Sequence, residues 1–83
     1  MKINQTYKNN HLTVELISLH QTDLETLSNV AILRRLNDYK QTIDFIVVCN
    51  FTTNNNECSW AFAYAYDLPN LEQATELFVE KIS

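Results

Sequence analysis

The chain has no glycine among its 83 residues, and that absence constrains its fold more than any other feature. A left-handed backbone conformation is costly for a residue carrying a Cβ, and Asn and Asp bear it best after glycine. Turns that need positive φ must therefore fall on those two residue types. Ten asparagines are available, and two groups stand where turns are needed, Asn9-Asn10 and Asn54-Asn55-Asn56. The same absence excludes glycine-dependent phosphate loops and dinucleotide fingerprints.

A chain this short is expected to fold as one domain, residues 1–83, because neither half could bury enough apolar surface alone. Its hydrophobic share of 46% against 19% charged is that of a globular protein rather than a disordered one.

Charge is unevenly spread. Residues 1–40 hold Lys2, Lys8, Arg34, Arg35 and Lys40 against Glu15, Asp23, Glu25 and Asp38. Residues 41–83 hold Lys81 alone against Asp44, Glu57, Asp67, Glu72, Glu76 and Glu80. The acidic half is unsuited to phosphate backbone and suited to a basic protein surface. The first residues lack an apolar leader and no apolar run reaches membrane-spanning length, so the expected location is cytoplasmic, away from membranes. In that setting the sequons Asn4-Gln5-Thr6 and Asn50-Phe51-Thr52 carry no meaning, and Cys49 and Cys58 are expected as free thiols.

Hydrophobic periodicity predicts an α+β fold. Leu12, Val14 and Leu16 alternate with polar residues as a half-buried strand over 11–18, and residues 3–7 form a weaker edge strand turned back at Asn9-Asn10. Thr22-Asp23-Leu24-Glu25 reads as a capping box, with Leu24, Leu27 and Ala31 following at helical spacing. This predicts a helix over 22–39, with Arg34, Arg35 and Lys40 at its negative pole. The dense run 43–51 predicts a central strand, 52–57 a turn and 58–66 a second strand, paired as a hairpin. Asn70 with Gln73 caps a terminal helix over 70–82 whose apolar stripe is Leu71, Ala74, Leu77, Phe78 and Ile82. The expected order is β(β)αββα: a small antiparallel sheet of three to four strands with two helices.

Strand alternation places Cys58, Trp60, Phe62, Tyr64 and Tyr66 on one face and Ser59, Ala61, Ala63 and Ala65 on the other. Such stripes are commonly core, with the alanines admitting close packing behind them. The alternative leaves Tyr64 and Tyr66 exposed for recognition, since phenols tolerate water and are enriched at interfaces. Two hairpin registers remain open, one with Cys49 opposite Cys58 and one slipped by a residue.

No constellation points to catalysis. Cys49, Cys58, His11 and His20 lack the short spacing of a zinc site, and neither thiol has a nameable base. The acid pairs Asp23/Glu25 and Glu72/Glu76 fall on open helical surface, where nothing would shift their pKa. The expectation is a non-enzymatic protein without metal or cofactor. Glu72, Glu76 and Glu80 stand four residues apart, usually a mere solvated helix face. Joined to Asp67 and Glu57, they would form an acidic strip able to imitate a nucleic-acid backbone and steer onto a basic groove.

Phe45-Ile46-Val47-Val48, then Ser59-Trp60-Ala61-Phe62 with Tyr64 and Tyr66, then Ala74 and Phe78, resemble the hairpin-plus-helix core of very small accessory proteins of phages and mobile elements. Among these, the anti-CRISPR inhibitors are similar in size, acidity and α+β build. The resemblance implies stoichiometric inhibition of a Cas nuclease by occupying the basic groove meant for DNA. It implies no particular site residues, because that group shares no defining motif. The candidate partner-binding residues from the charge and aromatic patterns are Glu57, Tyr64, Tyr66, Asp67, Glu72, Glu76 and Glu80. The competing expectation is a homodimeric structural or regulatory protein associating through its aromatic sheet face.

Overall fold

Two continuous apolar runs, Val30-Ala31-Ile32-Leu33 and Phe45-Ile46-Val47-Val48, form the centre of the molecule, every residue in them buried. Runs of this kind fit strands covered on both faces. The computed structural model describes residues 2–23, 25–26 and 28–83. Its elements are β1 (Thr6–Asn9), β2 (Leu12–Asp23), β3 (Ser28–Leu36), β4 (Thr42–Cys49), β5 (Thr52–Asn54), β6 (Glu57–Ser59), β7 (Phe62–Leu68) and α1 (Leu71–Ile82). The strands form one sheet in the order β5-β6-β1-β2-β3-β4-β7. Every pairing is antiparallel except β1 with β6, which is parallel, so the sheet is mixed.

This corrects the expected architecture of three to four strands and two helices. Among the described residues there are seven strands and one helix. Within the helix expected over 22–39, the described residues are instead the end of β2, a turn, all of β3 and the start of the next turn. Leu24 and Leu27, on which its periodicity rested, lie outside the described residues. The expected N-cap, Thr22, is a residue of β2, and it is the neighbouring Asp23 that captures backbone donors, its Oδ1 accepting from the amides of Glu25 at 2.9 Å and Thr26 at 3.4 Å. It closes a turn between strands, a use of the side chain as common as helix capping. Arg34 and Arg35 then sit directly opposite Glu15 and Asp44 on neighbouring strands rather than at a helix pole.

The expected hairpin of 43–51 with 58–66 is corrected as well. The second stretch breaks at Trp60-Ala61 and its two parts pair with different strands. Glu57–Ser59 pairs with β5, while Phe62–Leu68 pairs with β4. Cys49 faces Phe62 and Val48 faces Ala63, so neither anticipated register holds. Cys58 faces Thr53 instead, and both cysteines are free thiols.

Several local expectations hold. β1 and β2 form a hairpin through Asn10 at φ 53°. Among the described residues positive φ occurs at Asn4, Asn10, Asn50, Asn55 and Asp67, with Lys40 as the exception. The terminal helix begins where its cap predicts, Asn70 Oδ1 accepting from the Gln73 amide at 2.9 Å.

The sheet separates two apolar clusters. On its inner face Tyr7, Val14, Leu16, Leu33, Ile46 and Val48 gather around Phe51 and Cys58. The link from β4 to β5 is Asn50-Phe51 and that from β6 to β7 is Trp60-Ala61, so the short β5–β6 hairpin crosses this face and joins β1. Phe51 is wholly buried beneath it, with Tyr7 edge-on at 5.8 Å. On the other face Val30, Ile32, Phe45 and Val47 lie under α1, which contributes Ala74, Leu77, Phe78 and Ile82.

Candidate binding surface

The candidate residues divide between two regions of the sheet. Glu57 lies on β6, beside Lys8 of β1, with four strands between β6 and β7 in the sheet order. Tyr64, Tyr66 and Asp67 lie on or beside the β7 edge, and Glu72, Glu76 and Glu80 on α1. Glu57 is thus not part of one strip along the β7 and α1 side.

The expected single aromatic face does not form, because β7 is irregular. Val48 pairs with Ala63 but Val47 pairs with Ala65, so Tyr64 is an extra residue, a bulge. A one-residue bulge reverses the alternation beyond it. Tyr64 packs half-buried in the cluster under α1. Trp60 packs against the inner cluster and donates from Nε1 to the Tyr66 hydroxyl at 3.3 Å. A second shift follows before Leu68, where Asp67 takes φ 60°.

Tyr64 is consequently a poor recognition residue. Phe62 meets it edge-on at 5.1 Å, and the Lys81 ammonium stands 5.0 Å from its ring centroid. Burial pushes its phenol above the usual range, with the Cys49 thiol beside it adding to the shift. Phe62, which the pattern analysis did not select, is 51% exposed, and Tyr66 is 54% exposed. Both flank the unpaired edge of the sheet. No sequence signal separates Phe62 from Tyr64, since their exposures depend on the bulge.

The acidic residues differ in how free their charges are. Arg35 pairs with Asp44, Nε to Oδ1 at 2.9 Å, and reaches Asp67 at 3.4 Å. The hydrogen bond to Asp44 raises the Arg35 pKa despite partial desolvation, and both acids add a favourable field. Asp67 keeps an 81% exposed side chain, but its charge is partly offset. Lys81 lies 4.0 Å from Glu80, a weak contact at the helix end. Glu72 and Glu76 are exposed, and no ion pair is recorded for either among the described residues. Glu15 likewise pairs with Arg34 across β2 and β3.

Depressions in this surface are shallow and lie elsewhere. One of about 390 Å³ is lined by Thr6, Tyr7, Lys8, Thr13 and Asn56. Another of about 180 Å³ lies along β5 and β6 and includes Cys58. Burial lifts the Cys58 thiol to about 11, which keeps it protonated and unreactive at neutral pH. Among the described residues no three His, Cys, Asp or Glu side chains converge as metal ligands, and no helix is long and apolar enough to cross a membrane.

No protein-family model, curated protein or solved structure matches this chain.

Proposed function

We propose that this chain is a protein-binding module that docks a basic partner surface against the outer side of α1 and the adjoining β7 edge. One observation carries the reading. Glu72, Glu76 and Glu80 are all exposed on a helix whose other side is committed to the sheet. Four-residue spacing sets these carboxylates about 6 Å apart along the axis, a row that would steer a basic partner into contact. Phe62, edge-on to Tyr64 on the helix side of the sheet, supplies exposed aromatic area on that side, the residue class that anchors interfaces. The most specific form of the proposal is a phage-type inhibitor of a CRISPR-Cas nuclease that occupies its DNA-binding groove. The exposed acidic row supports that form.

The test is capture of purified RNA-guided nuclease and of host lysate proteins on the immobilised chain, at low and high salt, beside a Glu72/Glu76/Glu80→Lys variant. A basic nucleic-acid enzyme held by the wild type, released by salt and lost by the variant supports the proposal. Equal retention by both forms overturns the acidic mechanism.

The exposure of Phe62 and Tyr66 on an unpaired strand edge favours a second reading, a homodimer joined along β7. Light scattering would then show a salt-insensitive dimer that Tyr66→Ala dissociates.

A further inference from the structure

The turn between β3 and β4 departs from the rule that the other turns obey. Asn4, Asn10, Asn50, Asn55 and Asp67 hold the other described left-handed positions, but here Lys40 holds one, at φ 61°. A long side chain adopts that conformation at a cost and keeps it where its surroundings over-determine it. Asn37 supplies those surroundings. Its Oδ1 accepts from the amides of Tyr39 and Gln41, both at 2.9 Å, and its Nδ2 donates to Gln41 Oε1 at 3.1 Å. Its backbone closes the same turn, the amide donating to the Gln41 carbonyl at 2.9 Å and the carbonyl accepting from the Lys40 amide at 3.0 Å. These bonds fix the turn in one form, and that form holds Tyr39 out into solvent. At 84% exposure Tyr39 is the least covered large apolar or aromatic side chain among the described residues.

This turn lies at the end of the sheet from which α1 starts. Leu36 pairs with Thr42 at its base, Phe45 pairs with Leu68, and Pro69-Asn70 then leads into the helix. Two further apolar side chains, Ile43 and Leu71, are exposed at this end. So are three acids, Asp38, Asp67 and Glu72, against Lys40, while Arg35 is already paired with Asp44 and Asp67. A rigidly presented aromatic with apolar neighbours and a charged rim has the anatomy of a protein-binding hot spot. The face of an aromatic ring attracts cations, so a tyrosine among acids suits an arginine or lysine. We propose that Tyr39 is a pre-positioned anchor for the basic partner, taking one of its cationic side chains over the ring. Asp38, Asp67 and Glu72 then meet the charges beside it. Because the turn is fixed before binding, little freedom is lost when the contact forms. The anchor rests on the proposed docking of a basic partner at α1, and it extends that surface past the helix start to the β3–β4 turn.

The experiment titrates a fluorescent decapeptide of alternating arginine and serine into the full-length chain at low salt. Tyr39→Ala should weaken binding roughly fivefold, the size of one exposed cation–π contact. Tyr39→Phe keeps the ring and should bind as the wild type does. Both variants should unfold at the wild-type denaturant midpoint, because the side chain is almost uncovered. Asn37→Ala frees the turn and should weaken binding roughly threefold. Lys40→Asp exchanges a cation for an acid and should tighten it. Unchanged binding in Tyr39→Ala, beside binding lost in the Glu72/Glu76/Glu80→Lys variant, overturns the anchor and leaves the helix surface standing. Weaker binding in Lys40→Asp overturns it too, since the turn would then favour an acidic partner. A wild type that takes no peptide overturns the anchor and the helix surface together.

Discussion

The inner face of the sheet and its helix face are both apolar, yet they are covered in different ways. The inner face is closed by a hairpin tethered at both ends, with Phe51 wholly buried and Asn29 holding it in place. Asn29 donates from Nδ2 to the Phe51 carbonyl at 2.9 Å and accepts at Oδ1 from the Phe51 amide at 2.8 Å. Its own backbone exchanges two further hydrogen bonds with Asn50. Asn9 adds a bond from Nδ2 to the Cys58 carbonyl at 2.9 Å. The helix face is covered by α1 through apolar side chains that, Ala74 apart, remain half-exposed. Fully satisfied buried amides specify one arrangement, because any other leaves polar groups unpaired. Half-buried aliphatic contacts specify far less. The hairpin side is accordingly the more closely specified of the two faces.

The sharpest way to break that contrast is to truncate one aromatic on each side. Phe51→Ala should cost about 3–5 kcal/mol in denaturant unfolding, the range for a fully enclosed ring. Phe78→Ala should cost about 1–2 kcal/mol, since half-covered area gives up less. Equal losses would mean that the two faces contribute alike. Asn29→Ala comes next. It strands the Phe51 amide and carbonyl in a buried site, with an expected loss of about 2–4 kcal/mol. A loss below about 1 kcal/mol would show that water satisfies those groups and that the latch is weak.

Alkaline pH tests the inner face without altering its packing. The Cys58 pKa rises from 9.0 to about 11 on folding because burial disfavours the thiolate. A group raised in this way contributes stability that is complete below its unfolded pKa and is lost as pH climbs through the folded one. Stability should therefore fall between pH 9 and 11 by at most about 3 kcal/mol. Cys58→Ala should remove most of that slope, leaving the smaller part that Tyr64, shifted in the same direction, contributes. An unchanged slope would assign the alkaline loss to the helix face. The smallest effect should come from Lys81→Ala, which removes the cation above Tyr64 at a cost of about 0.5–1 kcal/mol. A larger loss would show α1 to be more firmly seated than its half-covered contacts imply.

Legibility from sequence follows the same divide between local and distant interactions. The Asn9-Asn10 hairpin, the dense strand β4 and the capped helix α1 could all be read from adjacent residues. The failure at β3 came from a periodicity that fitted two templates. Val30 to Leu33 is apolar throughout, and a short continuous run of that kind reads equally as one side of a helix or as a strand buried on both faces. The preceding Thr-Asp-Leu-Glu then tipped the reading toward a helix, although an aspartate captures backbone amides in turns as readily. The candidate surface was legible only in part. The glutamate row on α1 lies outward as its spacing requires. The shared face of Tyr64 and Tyr66 was undone by a single bulge, and Glu57 was carried to β6 by the crossing hairpin.

The sequence by itself determined the positions where the backbone can reverse. In a chain without glycine, left-handed turns must be rationed to asparagine and aspartate, and five of the six described positive-φ residues are of those types. It also determined the start of α1, through a cap three residues from the amide it satisfies. Only the tertiary structure decided which strands pair, because pairing is chosen by side chains that meet across the sheet rather than along the chain. Residues 57–68 serve two sheet partners for that reason. Burying Phe51 and Cys58 against Tyr7 and Leu16 holds β6 beside β1, while the apolar surface of β4 holds β7 at the opposite edge.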